Sequence, residues 1–598
     1  MHLIARLQTH RFPRWLWLAA LVALLDLFLL PWLFWGDPLI LLWSEKARVE
    51  WFLLNFAAGL ALVGWWSRQK PVHREPADAS GYGSHGSTRW ARPAELRTHL
   101  KRDGPGLILG RAADGLLILP PDPTLPLNQN VTILGSSGTK KTRSFVQPNL
   151  LQEADHSQAS IICVDPKGEN YRRSAALLHR AGYRVRVLNF LEMARSDRWN
   201  PLGAVKGTLE AADLAVNIVA NTINPNRPPG GDPFWDQAEQ SFITALVLYV
   251  KNHTPPGEQH MASVLELGAE LHPKHLDYVF LALPKEAPAR RFYRTFLRAD
   301  EKVRAGVVAG IGSRLQLWNI PEVAALTAAS DIDLAELGTR KVALFLIIPD
   351  SKATYAPILA LFWQQAFQVL YEVADKHGGV LPIPVRCVMD EIANCGYIPE
   401  YAQKKATMRS RRVSTEEIWQ SLGQLKNRYP KTWSELLGNS DHLLLLGAND
   451  LETAQYISQL SGTTTIKIIG QGNTQGSSGG SSSMSYTYTG RPLLTPDECR
   501  RLTPNEALLF PKGGYPSRVQ KVDYLSLPLA GAIKEVDHRS YEPPERSPLQ
   551  VTNVEALLAA VMPAQAPESD VHEEADEEAA APDPSDFADE DDDQETGP

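Results

Sequence analysis

The chain has 598 residues, enough for several domains, with 60 Lys and Arg against 68 Asp and Glu and a formal net charge of −8. Its four cysteines show no metal-ligand spacing, and its fifteen histidines are scattered singly. These features argue against a disulfide scaffold and against a zinc or histidine metal centre.

Two apolar runs open the chain. Residues 15–35 are long enough to cross a bilayer, and residues 51–66 are flanked by tryptophans, as at a membrane interface. The basic residues before the first run and after the second are Arg6, Arg11, Arg14, Arg68, Lys70 and Arg74. The positive-inside rule then predicts two transmembrane helices and a multi-pass protein of the bacterial cytoplasmic membrane, with the bulk of the chain in the cytoplasm.

The segment VTILGSSGTKKT at residues 131–142 reads as a buried strand followed by a phosphate-binding P-loop. Gly135 occupies the first motif position, and Lys141 and Thr142 occupy the last two. In such a loop, backbone N–H groups hold phosphate oxygens, the lysine reaches the β- and γ-phosphates and the hydroxyl ligates Mg²⁺. Lys140 stands where the motif has glycine, and a left-handed backbone there costs a lysine about 1 kcal/mol. The predicted nucleotide-binding residues are Gly135, Ser136, Ser137, Gly138, Thr139, Lys140, Lys141 and Thr142.

Apolar runs after the loop predict strands of a mainly parallel sheet covered on both faces, at 161–169, 184–190, 341–350 and 385–391. A long helix-like stretch at 203–334 separates the second strand from the third and predicts an all-α lobe. The last strand ends in Asp390 and Glu391. We expect Asp390 to hold Mg²⁺ and Glu391 to orient or activate the attacking water.

Two features lie towards the end of the chain. Alternating residues in 463–489 predict a hairpin with a flexible Gly/Ser tip, for which a linker is favoured over a DNA-contacting loop. Residues 568–595 contain fifteen Asp and Glu and no Lys or Arg, so the rest of the chain is net positive. This composition predicts a disordered tail, which either solubilises the protein or binds a partner or mimics DNA.

Several blocks in order along residues 82–530 resemble the type IV secretion coupling proteins, the TraG-like conjugative DNA-transfer ATPases. The blocks that carry the resemblance, besides the P-loop segment, are YGSHGSTRWA (82–91), VDPKGENY (164–171), RWNPL (198–202), DPFWDQAEQSFITALVLY (232–249), VMDEIANCGYIP (388–399), IWQSLGQL (418–425), GNSDHLLLLGANDLETAQYISQLSG (438–462) and GRPLLTPDECRRL (490–502).

The resemblance implies an α/β fold: a RecA-like P-loop NTPase domain with an inserted all-α domain and two N-terminal transmembrane helices. The domains expected are an anchor (1–70), the nucleotide-binding domain (71–202 and 335–535), the all-α domain (203–334) and the acidic tail (536–598). The segment RRVSTEEIWQ departs from the apolar strand that the family usually has there.

The implied function is an ATPase that recruits DNA, favoured as single-stranded, or a relaxase–DNA substrate, and pumps it into a type IV secretion channel as a homo-hexamer at the membrane. ATP and Mg²⁺ are the implied cofactors. Gln420 matches the family's γ-phosphate sensor, and Arg409, eleven residues earlier, matches an arginine finger that acts on the neighbouring subunit. Two alternatives stay open: a receptor for secreted proteins that binds nucleotide and hydrolyses it weakly, as Lys140 hints, and an FtsK-like DNA translocase.

Overall fold

The computed structural model describes residues 39, 44–51, 53, 77–222, 233–350, 352–476 and 479–562. These residues fall into two compact units, one within Met1–Asp78 and Lys467–Thr487 and the other within Ala79–Ile466 and Tyr488–Pro598. In the smaller unit, the Lys467 ammonium lies 3.7 Å from the centre of the Tyr486 ring. The larger unit holds the sheet, the helices around it and every candidate site residue.

Most strands of the main sheet coincide with the apolar runs of the sequence. They are β1 Ala77–Asp78, β2 Leu107–Ala112, β3 Gly115–Leu119, β4 Val131–Gly135, β5 Ser160–Pro166, β6 Arg184–Asn189, β7 Val342–Ile348, β8 Val385–Met389, β9 Val413–Trp419, β10 His442–Gly447, β11 Thr463–Gly476, β12 Gly479–Pro492, β13 Glu506–Pro511 and β14 Ser517–Gln520. The strands predicted from β4 to β8 are therefore confirmed, and so are the two strands of the hairpin.

The main sheet has the order β3-β2-β14-β13-β10-β4-β9-β8-β5-β7-β6. Its neighbours from β10 to β6 all run parallel, and β13, β14, β2 and β3 extend it as an antiparallel flank. Side chains of β4 alternate between two apolar cores, because Leu134 joins one core while Val131 and Ile133 join the other. Both faces of the parallel part are therefore covered, as its unbroken apolar strands predict.

Helices cover these faces. They are α1 Pro93–Leu96, α2 Gln147–His156, α3 Glu169–Arg180, α4 Thr208–Asn221, α5 Pro233–His253, α6 Met261–Ala269, α7 Pro273–Leu281, α8 Pro288–Leu297, α9 Glu301–Arg314, α10 Pro321–Leu326, α11 Glu336–Thr339, α12 Ala356–Lys376, α13 Tyr401–Thr407, α14 Leu422–Arg428, α15 Trp433–Gly438, α16 Leu451–Ser461, α17 Pro496–Arg500 and α18 Val554–Val561. Between β6 and β7, the described chain forms helices and no strand, in agreement with the predicted helical insertion. The insertion belongs to the same compact unit as the sheet.

The predicted membrane localisation is wrong. Among the described residues, no helix combines the length and apolar character needed to cross a bilayer. Of the two 21-residue helices, α5 carries Asp236 and Glu239 near its start, and glutamines such as Gln364 interrupt α12. This finding contradicts the expectation of a multi-pass protein of the bacterial cytoplasmic membrane.

The segments on which that expectation was based are not part of the described structure. The span predicted over residues 15–35 lies outside the described residues, as does most of the span predicted over 51–66.

The C-terminal region also differs from the expected tail beginning at residue 536. Residues 536–562 have defined structure, and α18 packs its apolar residues on the core of the larger unit. The physical reason is that Val554, Leu557, Leu558 and Val561 form an apolar stripe at helical spacing. The acidic stretch 568–595 lies outside the described residues.

Candidate functional site

The predicted P-loop connects the central strand β4 to a helical segment. A wide π-helical turn, Thr142–Val146, comes first and leads into α2, whose second residue is Pro148. Gly135 is required sterically, since a Cβ there would lie 2.8 Å from Thr139 Oγ1. Lys140 has φ = 68° and Gly138 has φ = 80°, so the lysine adopts the left-handed backbone that glycine would adopt.

The loop leaves backbone donors available to a ligand. Within the described residues, the N–H groups of Ser137, Gly138 and Lys140 have no acceptor, whereas that of Ser136 donates to Gly447 O at 3.1 Å. Lys141 extends its ammonium to 3.5 Å from Ser136 O. A loop with free N–H groups and a lysine at the start of a helical segment suits a phosphate group.

The pair predicted to act with the loop lies beside it. Strand β8 is separated from β4 by β9 alone, and Asp390 follows β8 at the edge where the P-loop follows β4. The Thr142 hydroxyl donates to Asp390 Oδ2 at 2.8 Å, across 248 residues of chain. A hydroxyl and a buried carboxylate are hard oxygen ligands of the kind that Mg²⁺ takes, so this pair could hold that ion.

Two carboxyl groups at this edge of the sheet, those of Asp390 and Asp165, have raised pKa values. Burial, aided by the neighbouring Glu391 charge, raises the pKa of Asp390 to about 6, against the opposing effects of the Thr142 hydrogen bond and Lys141. Burial also raises the pKa of Asp165, at the end of the adjacent β5, to about 7. A cation held beside Thr142 would stabilise the charged form of Asp390, and carboxyl pKa values raised in this way are common at functional sites.

Glu391 and Gln420 also meet at this edge. The side-chain amide of Gln420, which follows β9, donates to Glu391 Oε1. Glu391 has φ = 66°, a conformation that costs a non-glycine residue energy and is typical of functional positions. The structure therefore brings together the P-loop, Asp390, Glu391 and Gln420.

Arg409 does not join this group. It precedes β9, so it lies at the opposite edge of the sheet from Gln420, separated by a seven-residue strand of roughly 20 Å. Its guanidinium is exposed and donates to Leu125 O at 2.6 Å. Arg409 is therefore remote from the P-loop of its own chain.

Two other residues near the site have structural partners. Asp165 accepts hydrogen bonds from the N–H groups of Asn170 (3.0 Å) and Tyr171 (2.7 Å), at the start of α3. Lys167 pairs with Asp350 at 2.7 Å. These contacts favour structural roles for both residues.

Three residues that the sequence does not mark contact the outer side of the loop. Asn505, Lys521 and Asp523 lie next to the P-loop although they follow it by more than 360 positions. No motif marks them, and only the register of the antiparallel flank brings them to this edge.

Comparisons with known proteins agree with this geometry. A family model described as type IV secretory system conjugative DNA transfer matches residues 108–551. Conjugal transfer protein TraG of Rhizobium radiobacter is 24% identical over 396 residues, which cover 64% of this chain and 60% of the relative. Protein VirD4 of the same species is 25% identical over 464 residues, which cover 74% and 64%. The chain thus spans somewhat under two thirds of the length of these relatives.

Solved structures share the fold. The bacterial conjugative coupling protein TrwBdeltaN70, in an unbound form, has a TM-score of 0.53 and 13% identity, covering 73% of this chain and 92% of its own. TrwB in complex with the non-hydrolysable ATP analogue ADPNP has a TM-score of 0.55 at 13% identity, with 73% and 93% covered. TrwB in complex with ADP and Mg²⁺ has a TM-score of 0.53 at 13% identity, with 76% and 95% covered.

Proposed function

Because the chain belongs to the type IV secretory system conjugative DNA transfer family, as its sequence blocks predicted, we propose that it is an ATP-dependent coupling protein. It recruits DNA or a relaxase–DNA substrate and passes it to a type IV secretion channel. The larger unit is then a RecA-like P-loop NTPase with an inserted all-α domain. The nucleotide-bound structures of TrwB support this assignment.

The observation that carries the proposal is the hydrogen bond from Thr142 to Asp390, because it joins two motifs that are distant in sequence at one sheet edge. The free N–H groups of Ser137, Gly138 and Lys140, together with the Lys141 ammonium, hold the nucleotide phosphates. Thr142 and Asp390 hold Mg²⁺, which when bound neutralises charge on the phosphates. Glu391, supported by Gln420, orients and deprotonates the attacking water.

Arg409 acts on a neighbouring subunit in this proposal. Its place at the far edge of its own sheet excludes a role at its own P-loop, and its exposure leaves it accessible to another copy. A homo-hexameric ring is the arrangement that would set Arg409 of one subunit beside the P-loop of the next. The guanidinium would then stabilise the charge that develops on the transferred phosphate.

An ATPase assay on the purified chain, with and without single-stranded DNA, tests the proposal. We expect DNA to stimulate turnover and Lys141→Ala to reduce it at least 100-fold, since the lysine stabilises transition-state charge. Lys376→Ala, an exposed lysine at the end of α12, is the matched control and should retain wild-type turnover. ATP binding without turnover, with or without DNA, would instead favour the receptor for secreted proteins.

The same assay tests Arg409. Arg409→Ala and Lys141→Ala proteins should each be inactive alone, and mixing them should restore part of the activity. Restoration is expected because some interfaces then combine an intact Lys141 with an intact Arg409. If the Arg409→Ala protein keeps full ATP turnover, Arg409 is not an arginine finger.

A further inference from the structure

The outer side of the P-loop rests on the open end of the β13–β14 hairpin. Lys521 donates to Thr139 O and to Pro504 O, both at 3.1 Å. Lys140 donates to Asn505 Oδ1 at 3.0 Å. Arg143, one residue beyond Thr142, pairs with Asp523 at 2.7 Å. Two adjacent loop residues, and Arg143 just after the loop, are therefore held by residues at or just beyond the open end of one hairpin.

Hydrogen bonds between neighbouring strands of the sheet fix the backbone at this end of the hairpin. Strand β13 runs antiparallel to β10, which is parallel to β4, so β13 begins at the edge where the P-loop lies. Glu506 is in register with Gln520, and the Lys521 N–H donates to Asn505 O at 2.7 Å. Asn505 and Lys521 thus form a support whose backbone is fixed by sheet hydrogen bonds.

The contact of Lys521 determines how one peptide of the loop is turned. In a trans peptide the C=O and the following N–H point in opposite directions. Since Thr139 C=O points towards Lys521, the N–H of Lys140 points away from the hairpin, to the inner side of the loop. The Lys140 N–H has no acceptor among the described residues. Lys140 itself has the left-handed backbone described above, with φ = 68°.

We propose that Lys521 is a positioning residue for anion binding: it holds the Thr139–Lys140 peptide with its N–H facing the phosphate site. The inference rests on the proposed nucleotide function of the loop. The ammonium also polarises the peptide it contacts, which strengthens the N–H on the other side as a donor. Lys521 acts through the peptide and does not touch the ligand.

The surroundings of Lys521 make its charge sensitive to pH. Partial burial, and next the charge of Lys140, lower the pKa of Lys521 to about 8. The groups that face it are the Thr139 and Pro504 carbonyls and the Lys140 ammonium, and Asp523 is engaged by Arg143 nearby. Above pH 8, Lys521 loses its charge and its support for the peptide weakens.

Calorimetric titration of ADP with Mg²⁺ into the 598-residue chain, at pH 7 and pH 9, tests the inference. We expect Lys521→Met to weaken ADP binding about 10-fold at pH 7 and to remove its dependence on pH between 7 and 9. The wild type should lose several-fold in affinity between these values. Lys521→Arg should keep its affinity at pH 9, because a guanidinium stays charged there. Lys140→Gly should move the decline to higher pH, because it removes the neighbouring charge.

Lys512→Met is the matched control. Lys512 lies on the turn at the other end of the same hairpin and pairs with Asp441 at 2.9 Å. The Lys512→Met protein should keep the ADP affinity and the pH dependence of the wild type, even where loss of the Asp441 ion pair lowers its thermal stability. Folded Lys521→Met protein that binds ADP as the wild type does would overturn the inference.

Three further outcomes separate the role of Lys521 from the proposed nucleotide function of the loop. If Lys521→Met does not fold, a decline between pH 7 and pH 9 that is equal in wild type and Lys521→Arg would overturn the inference. If the wild type itself fails to bind ADP, the proposed nucleotide function fails. If the wild type binds ADP, Lys141→Ala abolishes this binding and Lys521→Met leaves it unchanged, the nucleotide function stands and only the proposed role of Lys521 is refuted.

Discussion

Lys140 is the residue at which this P-loop departs from its motif, and the structure explains how the loop accommodates it. Its backbone adopts φ = 68°, and its ammonium donates to Asn505 Oδ1 at 3.0 Å. The left-handed conformation costs about 1 kcal/mol, and a hydrogen bond of this kind returns a similar amount. The structure gives no sign that Lys140 distorts the loop.

We therefore expect Lys140→Gly to change DNA-stimulated ATP turnover by less than about threefold, since glycine adopts the same backbone and the substitution removes only the Asn505 contact and one charge beside Lys521. Steady-state ATPase rates measure this. Gly138→Ala is a control for strain alone, because its φ is 80° and a Cβ there meets no atom within 4 Å. A rise in turnover above tenfold for Lys140→Gly would identify Lys140 as a brake on hydrolysis.

At the scale of one element, β9 shows how a strand with two glutamates can be fully buried. Glu416 pairs with Arg386 at 2.7 Å on one face, and Glu417 pairs with Lys405 at 2.7 Å on the other. The Tyr401 hydroxyl also donates to Glu417, at 2.6 Å. These contacts explain the charged segment that departs from the apolar strand of the family, and they fix the strand that leads to Gln420.

We expect Lys405→Met to lower the free energy of unfolding by roughly 3 kcal/mol, because it leaves the buried Glu417 charge without its cation. Urea denaturation followed by circular dichroism measures the loss. The double variant Lys405→Met with Glu417→Gln should recover at least half of it. Lys426→Met, which breaks the exposed Lys426–Glu452 pair, should cost under about 1 kcal/mol. Equal losses for the two lysine variants would contradict this account of β9.

At the scale of the whole larger unit, the C-terminal segment links the sheet to the helical insertion. The Tyr541 hydroxyl donates at 2.6 Å to Asp197, which also accepts from the Val187 N–H of β6. Gln550 O lies 2.8 Å from His260 Nε2, at the start of α6 in the insertion. Helix α18 then packs on the core beside α7. The segment up to residue 562 is thus part of the folded unit.

We expect truncation after Met562 to leave thermal stability and ATP turnover unchanged, because the acidic composition of residues 568–595 predicts a tail that lies outside the motor. Truncation after Ile533 should lower the free energy of unfolding by at least about 3 kcal/mol, since it exposes apolar surface under α18. Thermal unfolding and ATPase assays on both proteins test this. A large loss of turnover on removing residues 563–598 alone would assign them to the motor.

Much of the α/β fold could be predicted from local patterns. Apolar runs of strand length predicted β4 to β8, and the glycine-rich segment after β4 predicted the loop. Asp390 could be placed beside Thr142 because the carboxyl ends of parallel strands share one edge. The boundary of the acidic tail could not be predicted from local patterns. Helix α18 is held in place because its apolar stripe packs against a surface formed by residues distant in sequence.

The P-loop, the two acidic residues after β8 and the family could all be predicted from the chain alone, because these features depend on residues that are adjacent or in fixed order along it. The position of Arg409 at the far edge of its own sheet, the buried cations of the β9 glutamates and the contact of Lys521 with the loop became visible in the folded chain alone. The physical reason is that these contacts depend on strand order and register, which join residues up to 382 positions apart.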